Sequence, residues 1–171
     1  KKKPKKIILI SSINVYGESN VPSKETDSLL PKTSYGLVKS LTEKIYENFA
    51  CLHGLNITIL RMANVYGPSK TNGIIFNLIK SITNPESPVI LVNNGNQLRD
   101  FLYIDDAINA IIATIKIHQD GFNIFNISSS KRYSNLEIID VIENVSGKKP
   151  YIKLNEFYND ETCIWADNSK A

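Results

Sequence analysis

The chain is poor in the residues that staple a fold or hold a metal. Its 171 residues include two cysteines, Cys51 and Cys163, which are far apart and in no C-x-x-C, and two isolated histidines, His53 and His118. That pattern excludes a disulfide framework and offers no zinc-ligand spacing. Glycine is scarce as well: there are eight, no two closer than six residues, so no glycine-rich loop is spaced to cradle a pyrophosphate. No run approaches the ~18 apolar residues of a membrane span. The apolar run Ile7 to Ile10 that follows the charged start is too short for a signal-peptide core. The N-x-S/T triplets at Asn56, Asn126 and Asn144 are therefore read as bare, and the protein as cytoplasmic with no membrane partner. Charge of one sign is missing too. The net charge is +3, yet five lysines stand in the opening "KKKPKK", and the remainder carries −2. That cluster reads as a solvated lead-in to the first strand; a nucleic-acid patch is its rival.

What is present suits one globular domain with a real core, at 42% hydrophobic and 22% charged residues. "KIILISS" is a short apolar run that suits a buried parallel strand. A polar, turn-rich stretch follows. From Thr33 to His53, Leu37, Leu41, Ile45 and Phe49 recur every four residues, which predicts a helix with one buried stripe, capped by Thr33 or Ser34 and ended by Gly54. "NITILRM" is another β-branched run, so the opening reads as a βαβ unit of a parallel α/β sheet. Beyond it the pattern predicts a helix at "IIFNLIKSIT", strands at "PVILV" and "RDFLYI", and a helix at "DDAINAIIATIKI" capped by Asp105 or Asp106. A strand "GFNIFNIS", a helix "SNLEIIDVIENVSG" and a last strand "KPYIKL" follow, with no internal repeat and no linker.

"SYGLVKS" sets Tyr35 and Lys39 four residues apart, on one helical face. A tyrosine ordinarily ionises near pH 10, and bringing that to about 7 takes ~4 kcal/mol of extra stabilisation of the phenolate. A nearby ammonium contributes by charge. A hydroxyl bonded to both phenol and substrate would complete a proton-transfer site, and Ser12, at the end of the preceding strand, is placed to be that group.

A Y-x-x-x-K pair alone is common; its context is not. "LISSINVYG", "SYGLVKSLTEK", "LRMANVYGP", "GNQLRDFLYIDDAINAI", "FNISSSKRYSNLEIIDVIENVSGKKP" and "WADNSKA" come in order. With them the chain resembles the extended short-chain dehydrogenase/reductases, in particular the NAD-dependent nucleotide-sugar epimerases and dehydratases. The resemblance implies an α/β fold: the C-terminal part of a Rossmann-like parallel sheet with an interleaved small α/β substrate-binding domain. Residues 1–66 would belong to the cofactor domain and 67–171 mostly to the substrate domain, with segments near 99–127 returning to the sheet. It implies Tyr35 as catalytic base, with Lys39 binding the nicotinamide ribose and favouring the phenolate. Ser12 would be the third catalytic member, Ser11 would lie beside the cofactor, and Asn64 and Arg99 would contact the substrate diphosphate. NAD is the implied cofactor, a UDP-hexose the implied substrate, and a homodimer through helix 33–53 the implied assembly.

Family members that eliminate water or decarboxylate are expected to carry an acidic residue within two positions of the catalytic serine. Ile13 and Asn14 stand there, and neither moves a proton at neutral pH. A 4-epimerase of the UDP-glucose/UDP-galactose kind is therefore the leading expectation, with a dehydratase or another oxidoreductase of the family as alternative. Two departures accompany it. The glycine loop that begins such enzymes is absent, so the chain reads as the second half of a longer enzyme and is expected to hold NAD weakly alone. An arginine expected before "WADNSKA" is replaced by Glu156 or Phe157. A non-catalytic module for binding or dimerisation is the remaining alternative.

Overall fold

In the computed structural model, which describes residues 4–84, 88–155 and 163–171, the β-branched runs become strands and the four-residue periodicities become helices. Strand β1 (Ile7–Ser12) leads through a short 3-10 turn and a loop into helix α1 (Ser34–His53). Strands β2 (Ile57–Met62) and β3 (Asn64–Tyr66) follow, then helix α2 (Ile74–Thr83) and strand β4 (Val89–Val92). Strands β5 (Leu98–Arg99) and β6 (Phe101–Tyr103) precede helix α3 (Ile104–Lys116) and strand β7 (Phe122–Ile127). Strand β8 (Tyr133–Ser134), helix α4 (Asn135–Ser146), and strands β9 (Ile152–Asn155) and β10 (Cys163–Ile164) complete the order.

Strands β1, β2 and β7 form a parallel sheet in that order, with Ser12 beside Met62 and Met62 beside Ile127. Every residue of β2 is buried, as expected of a central parallel strand. Leu60, Met62, Leu102, Ala107, Ile127 and Ile164 pack in the core beneath this sheet's carboxyl end. A second core of Leu78, Val89, Leu91 and Ile139 holds the parallel pair β4–β9 against α2 and α4. Chain segments alternate between the two cores, which sets a cleft between them.

Three expectations are corrected. Leu37, Leu41, Ile45 and Phe49 do not form a buried stripe: all are at least half exposed. The face of α1 turned to the sheet carries Gly36, Ser40, Glu43 and Ala50 instead, because small and paired polar residues let the helix lie close. Gly36 shows how close: a Cβ there would stand 2.4 Å from the Asn14 carbonyl oxygen. The run "RDFLYI" is two strands, broken at Asp100; β5 pairs with β8 and β10, and β6 with β3. Helix α3 has no side-chain cap at Tyr103, and Asp105 and Asp106 lie in its first turn, where the helix dipole favours carboxylates. The caps Thr33 and Gly54 are where the sequence puts them. Glu156 and Phe157 lie outside the described residues.

Candidate active site

Parallel strands point their carboxyl ends at ligands, and the hydroxyls and amines of this chain gather there. The Thr33 side chain caps α1 by accepting from the Gly36 amide at 3.0 Å, which brings Tyr35 and Lys39 into the first turns of the helix. The Lys39 Nζ donates to the Ile10 carbonyl at 2.9 Å and stands 5.8 Å from the Tyr35 ring centroid. Tyr35 itself is 54% exposed, so its hydroxyl is open to a ligand. Ser12 is buried; its Oγ accepts from the Asn14 amide at 3.3 Å and keeps its own O–H to donate. Ser11 differs. Its buried hydroxyl donates to the Glu43 carboxylate and is committed to that bond.

Beneath these groups lies a polar network that sequence reasoning missed. Arg61 grips Glu43 through Nε and Nη2, the latter at 2.7 Å, and both side chains are 3% exposed. The Arg61 Nη1 donates to the Tyr16 hydroxyl at 2.8 Å, and that hydroxyl donates to Asn126 Oδ1 at 2.7 Å. Burial alone would lower the Arg61 guanidinium, but the bonds to Glu43 and Tyr16 hold it above its ordinary value. Burial likewise pushes the Tyr16 phenol up, so it stays a donor. The signal available in sequence was spacing: Glu43 follows Lys39 by four, as Lys39 follows Tyr35.

The NAD dependent epimerase/dehydratase family model matches residues 1–128, in which all of these groups but the C-terminal wall of the cleft are found. The chain belongs to that family. An uncharacterized UDP-glucose epimerase, YtcB, of Bacillus subtilis is 32% identical over 166 residues, covering 96% of this chain and 52% of that protein. A UDP-glucuronate 4-epimerase of Thermodesulfobacterium geofontis is 33% identical over 171 residues, covering 98% and 52%. The solved UDP-glucuronic acid 4-epimerase of Bacillus cereus, in complex with UDP-glucuronic acid and NAD, superposes with a TM-score of 0.90 at 31% identity. It is matched over 99% of this chain and 55% of its own. The chain thus spans about half the length of the relatives it matches.

A cleft of about 760 Å³ lies between the two cores, lined by Asn64, Lys70, Gln97, Arg99, Tyr103 and Asn135 among others. Asn64 and Arg99 share it; Tyr35, Lys39 and Ser12 do not line it and stand at the sheet end beyond Asn64. The Asn64 Nδ2 donates to the Asp100 carbonyl at 2.9 Å, which fixes its amide at the cleft's edge. For a nicotinamide cofactor the residues present fit one end. The Lys39 amine uses one donor on Ile10 and has two more beside an exposed phenol, a donor set suited to ribose hydroxyls. Among the described residues no group of three or more His, Cys, Asp or Glu could hold a metal, and no helix is long and apolar enough to cross a membrane.

Proposed function

We propose that the chain carries the proton-transfer centre and the nucleotide-sugar cleft of an NAD-dependent UDP-hexose 4-epimerase. On this reading residues 1–66 belong to the cofactor part and 67–171 mostly to the substrate part, with segments near 99–127 returning to the sheet. One observation carries it: the Lys39 amine is held by the Ile10 carbonyl, beside the exposed Tyr35 ring, at the carboxyl end of a parallel strand. Tyr35 takes the proton of the sugar 4-hydroxyl, and the Lys39 cation stabilises the phenolate that makes this possible. Ser12 donates its free O–H to the same sugar oxygen and holds it near the phenol. NAD, when bound, supplies the site that accepts the C4 hydride and returns it to the other face. Lys39 holds the cofactor ribose, and Ser11 contributes its main chain. Arg99 offers a planar fork to the diphosphate and Asn64 its remaining amide hydrogen.

Epimerisation is favoured over dehydration because Ile13 is buried and apolar and Asn14 is an amide, leaving no acid or base in the two positions after Ser12. The activities named for the relatives above support the class. A second reading, a non-catalytic module that associates with its own copy, is favoured by the exposed apolar face of α1. Incubating the chain with UDP-glucose or UDP-glucuronate and a large excess of NAD, because it is expected to hold the cofactor weakly alone, separates them. The 4-epimer is expected as product, and Tyr35→Phe is expected to cut turnover about 10²- to 10⁴-fold. Equal turnover in that variant would remove Tyr35 from the chemistry, and no turnover in a dimeric wild type would favour the module.

A further inference from the structure

Ser12 is fastened from both sides to a single buried ion pair. The residue before it, Ser11, lies beside Arg61 in the register of β1 and β2 and donates its hydroxyl to Glu43. After it, the chain makes one 3-10 turn to Tyr16, whose hydroxyl accepts from Arg61 Nη1 at 2.8 Å. The Tyr16 ring centroid lies 4.8 Å from the guanidinium carbon. Glu43 and Arg61 are 3% and 2% exposed. Glu43 is also one turn of α1 beyond Lys39, whose amine is held on the Ile10 carbonyl, next to Ser11. The pair thus joins the segments that bear Ser12, Lys39 and Tyr35. Its own hydrogen bonds go to Ser11, Tyr16 and the Glu25 carbonyl, not to the three reacting side chains.

Folding alone gives no reason for an ion pair there. The cost of desolvating two charges roughly offsets their attraction, and an apolar pair of like volume packs as stably or better. What an apolar pair lacks is direction. A guanidinium is a planar fork with donors at fixed angles; here it holds the carboxylate through Nε and Nη2 and the phenol through Nη1. The carboxylate in turn takes Ser11, so the two hydroxyls that flank Ser12 are set by one rigid plane. We infer that Glu43 and Arg61 are positioning residues for the proton-transfer centre: they fix the Ser12 hydroxyl and the Lys39 amine against the Tyr35 phenol. The inference rests on the roles proposed for those three groups and deepens that reading. Misplacing reacting groups by about 1 Å costs on the order of 10²-fold in rate. Loosening the pair is therefore felt in turnover, not in substrate affinity, which belongs to the cleft at Asn64 and Arg99.

Two variants separate position from stability: Glu43→Leu combined with Arg61→Met, and Glu43→Gln alone. The double variant removes one charge of each sign. Its urea midpoint is expected to lie closer to wild type than that of Glu43→Gln, which leaves the guanidinium buried without its carboxylate. Turnover is expected in the reverse order, because glutamine still offers Ser11 an acceptor and leucine offers none. With a UDP-hexose and excess NAD, under conditions where both variants are folded, kcat of the double variant should fall about 10- to 10²-fold. Its KM should stay within about twofold of wild type. A second readout needs neither cofactor nor substrate. Acylation of Lys39, followed by peptide mass spectrometry against the exposed Lys80 of α2, should be faster in the double variant, whose amine is less firmly held on Ile10. Wild-type kcat in the double variant, turnover that follows the order of the midpoints, or an unchanged Lys39 rate overturns the inference alone. Absence of turnover in wild type overturns it together with the proton-transfer reading.

Discussion

Tyr35, Lys39 and Glu43 ride one face of α1 at steps of four, and they sink from an exposed phenol to a buried carboxylate. Lys39 bonds the Ile10 carbonyl and Glu43 receives the Ser11 hydroxyl, so successive turns of the helix are fastened to successive residues of β1. Glu43→Ala would leave the Arg61 guanidinium buried without its carboxylate. A loss of about 3–5 kcal/mol is expected in urea denaturation, with much of it recovered when Glu43→Leu is combined with Arg61→Met. Asp100 sets the other residue-scale expectation. Its carboxyl is fully buried, one oxygen accepting from the Ser129 amide and hydroxyl. Burial raises it above its ordinary value despite those donors. The folded chain therefore holds this proton at pH values where the unfolded chain has released it. Its contribution to stability is present in acid and falls as pH rises from about 4 toward the folded value. Urea midpoints measured across that range should show the fall in wild type and a flatter profile in Asp100→Asn; the same slope in both would place its origin elsewhere.

Helix α1 has two working faces. One carries the proposed catalytic pair, Tyr35 and Lys39, and the small residues that lie against the sheet. The other presents Leu37, Val38, Leu41, Ile45, Phe49 and Leu52, an apolar band about 120° wide that nothing in the chain covers among the described residues. A band of that kind on a twenty-residue helix suits pairing with the same helix of a second copy, the homodimer that the family resemblance implies, catalytic or not. Leu41→Lys combined with Ile45→Lys should weaken self-association on the order of 10²-fold while leaving the sheet face of the helix untouched. Sedimentation velocity over a range of concentrations reads this out, and a monomeric wild type would refute the pairing. The register of the apolar residues was legible in sequence, but periodicity names a stripe without naming what covers it.

At the scale of the molecule, one buried asparagine ties distant segments together. Asn126, fully buried in β7, accepts from Tyr16 and donates Nδ2 to the Ser23 carbonyl at 2.9 Å and the Asp167 carbonyl at 3.0 Å. Its backbone amide donates to Glu25 Oε1 at 2.8 Å. The loop after β1, the central sheet and the C-terminal segment thus meet at a single side chain. Asn126→Ala strands the Tyr16 donor and two carbonyl acceptors in the interior. About 2–4 kcal/mol of stability should be lost, a drop of roughly 4–16 °C in Tm for a chain of this size by differential scanning calorimetry. A drop under ~2 °C would mean that those groups find other partners.

Strand and helix positions, the caps Thr33 and Gly54, and the Tyr35–Lys39 spacing were set by local rules: period, propensity and turn chemistry act over a few residues and are written in order along the chain. The family, too, was legible, because its segments occur in sequence order. Only tertiary structure decided which face of α1 met the sheet, since the helix docks where Gly36 and Ala50 permit close approach and not where its leucines point. It alone broke "RDFLYI" at Asp100, joined Glu43 to Arg61 across eighteen residues, and brought Gln97 to Asn135. Those contacts join residues far apart in the chain, and their energies depend on burial, which no short window of sequence contains.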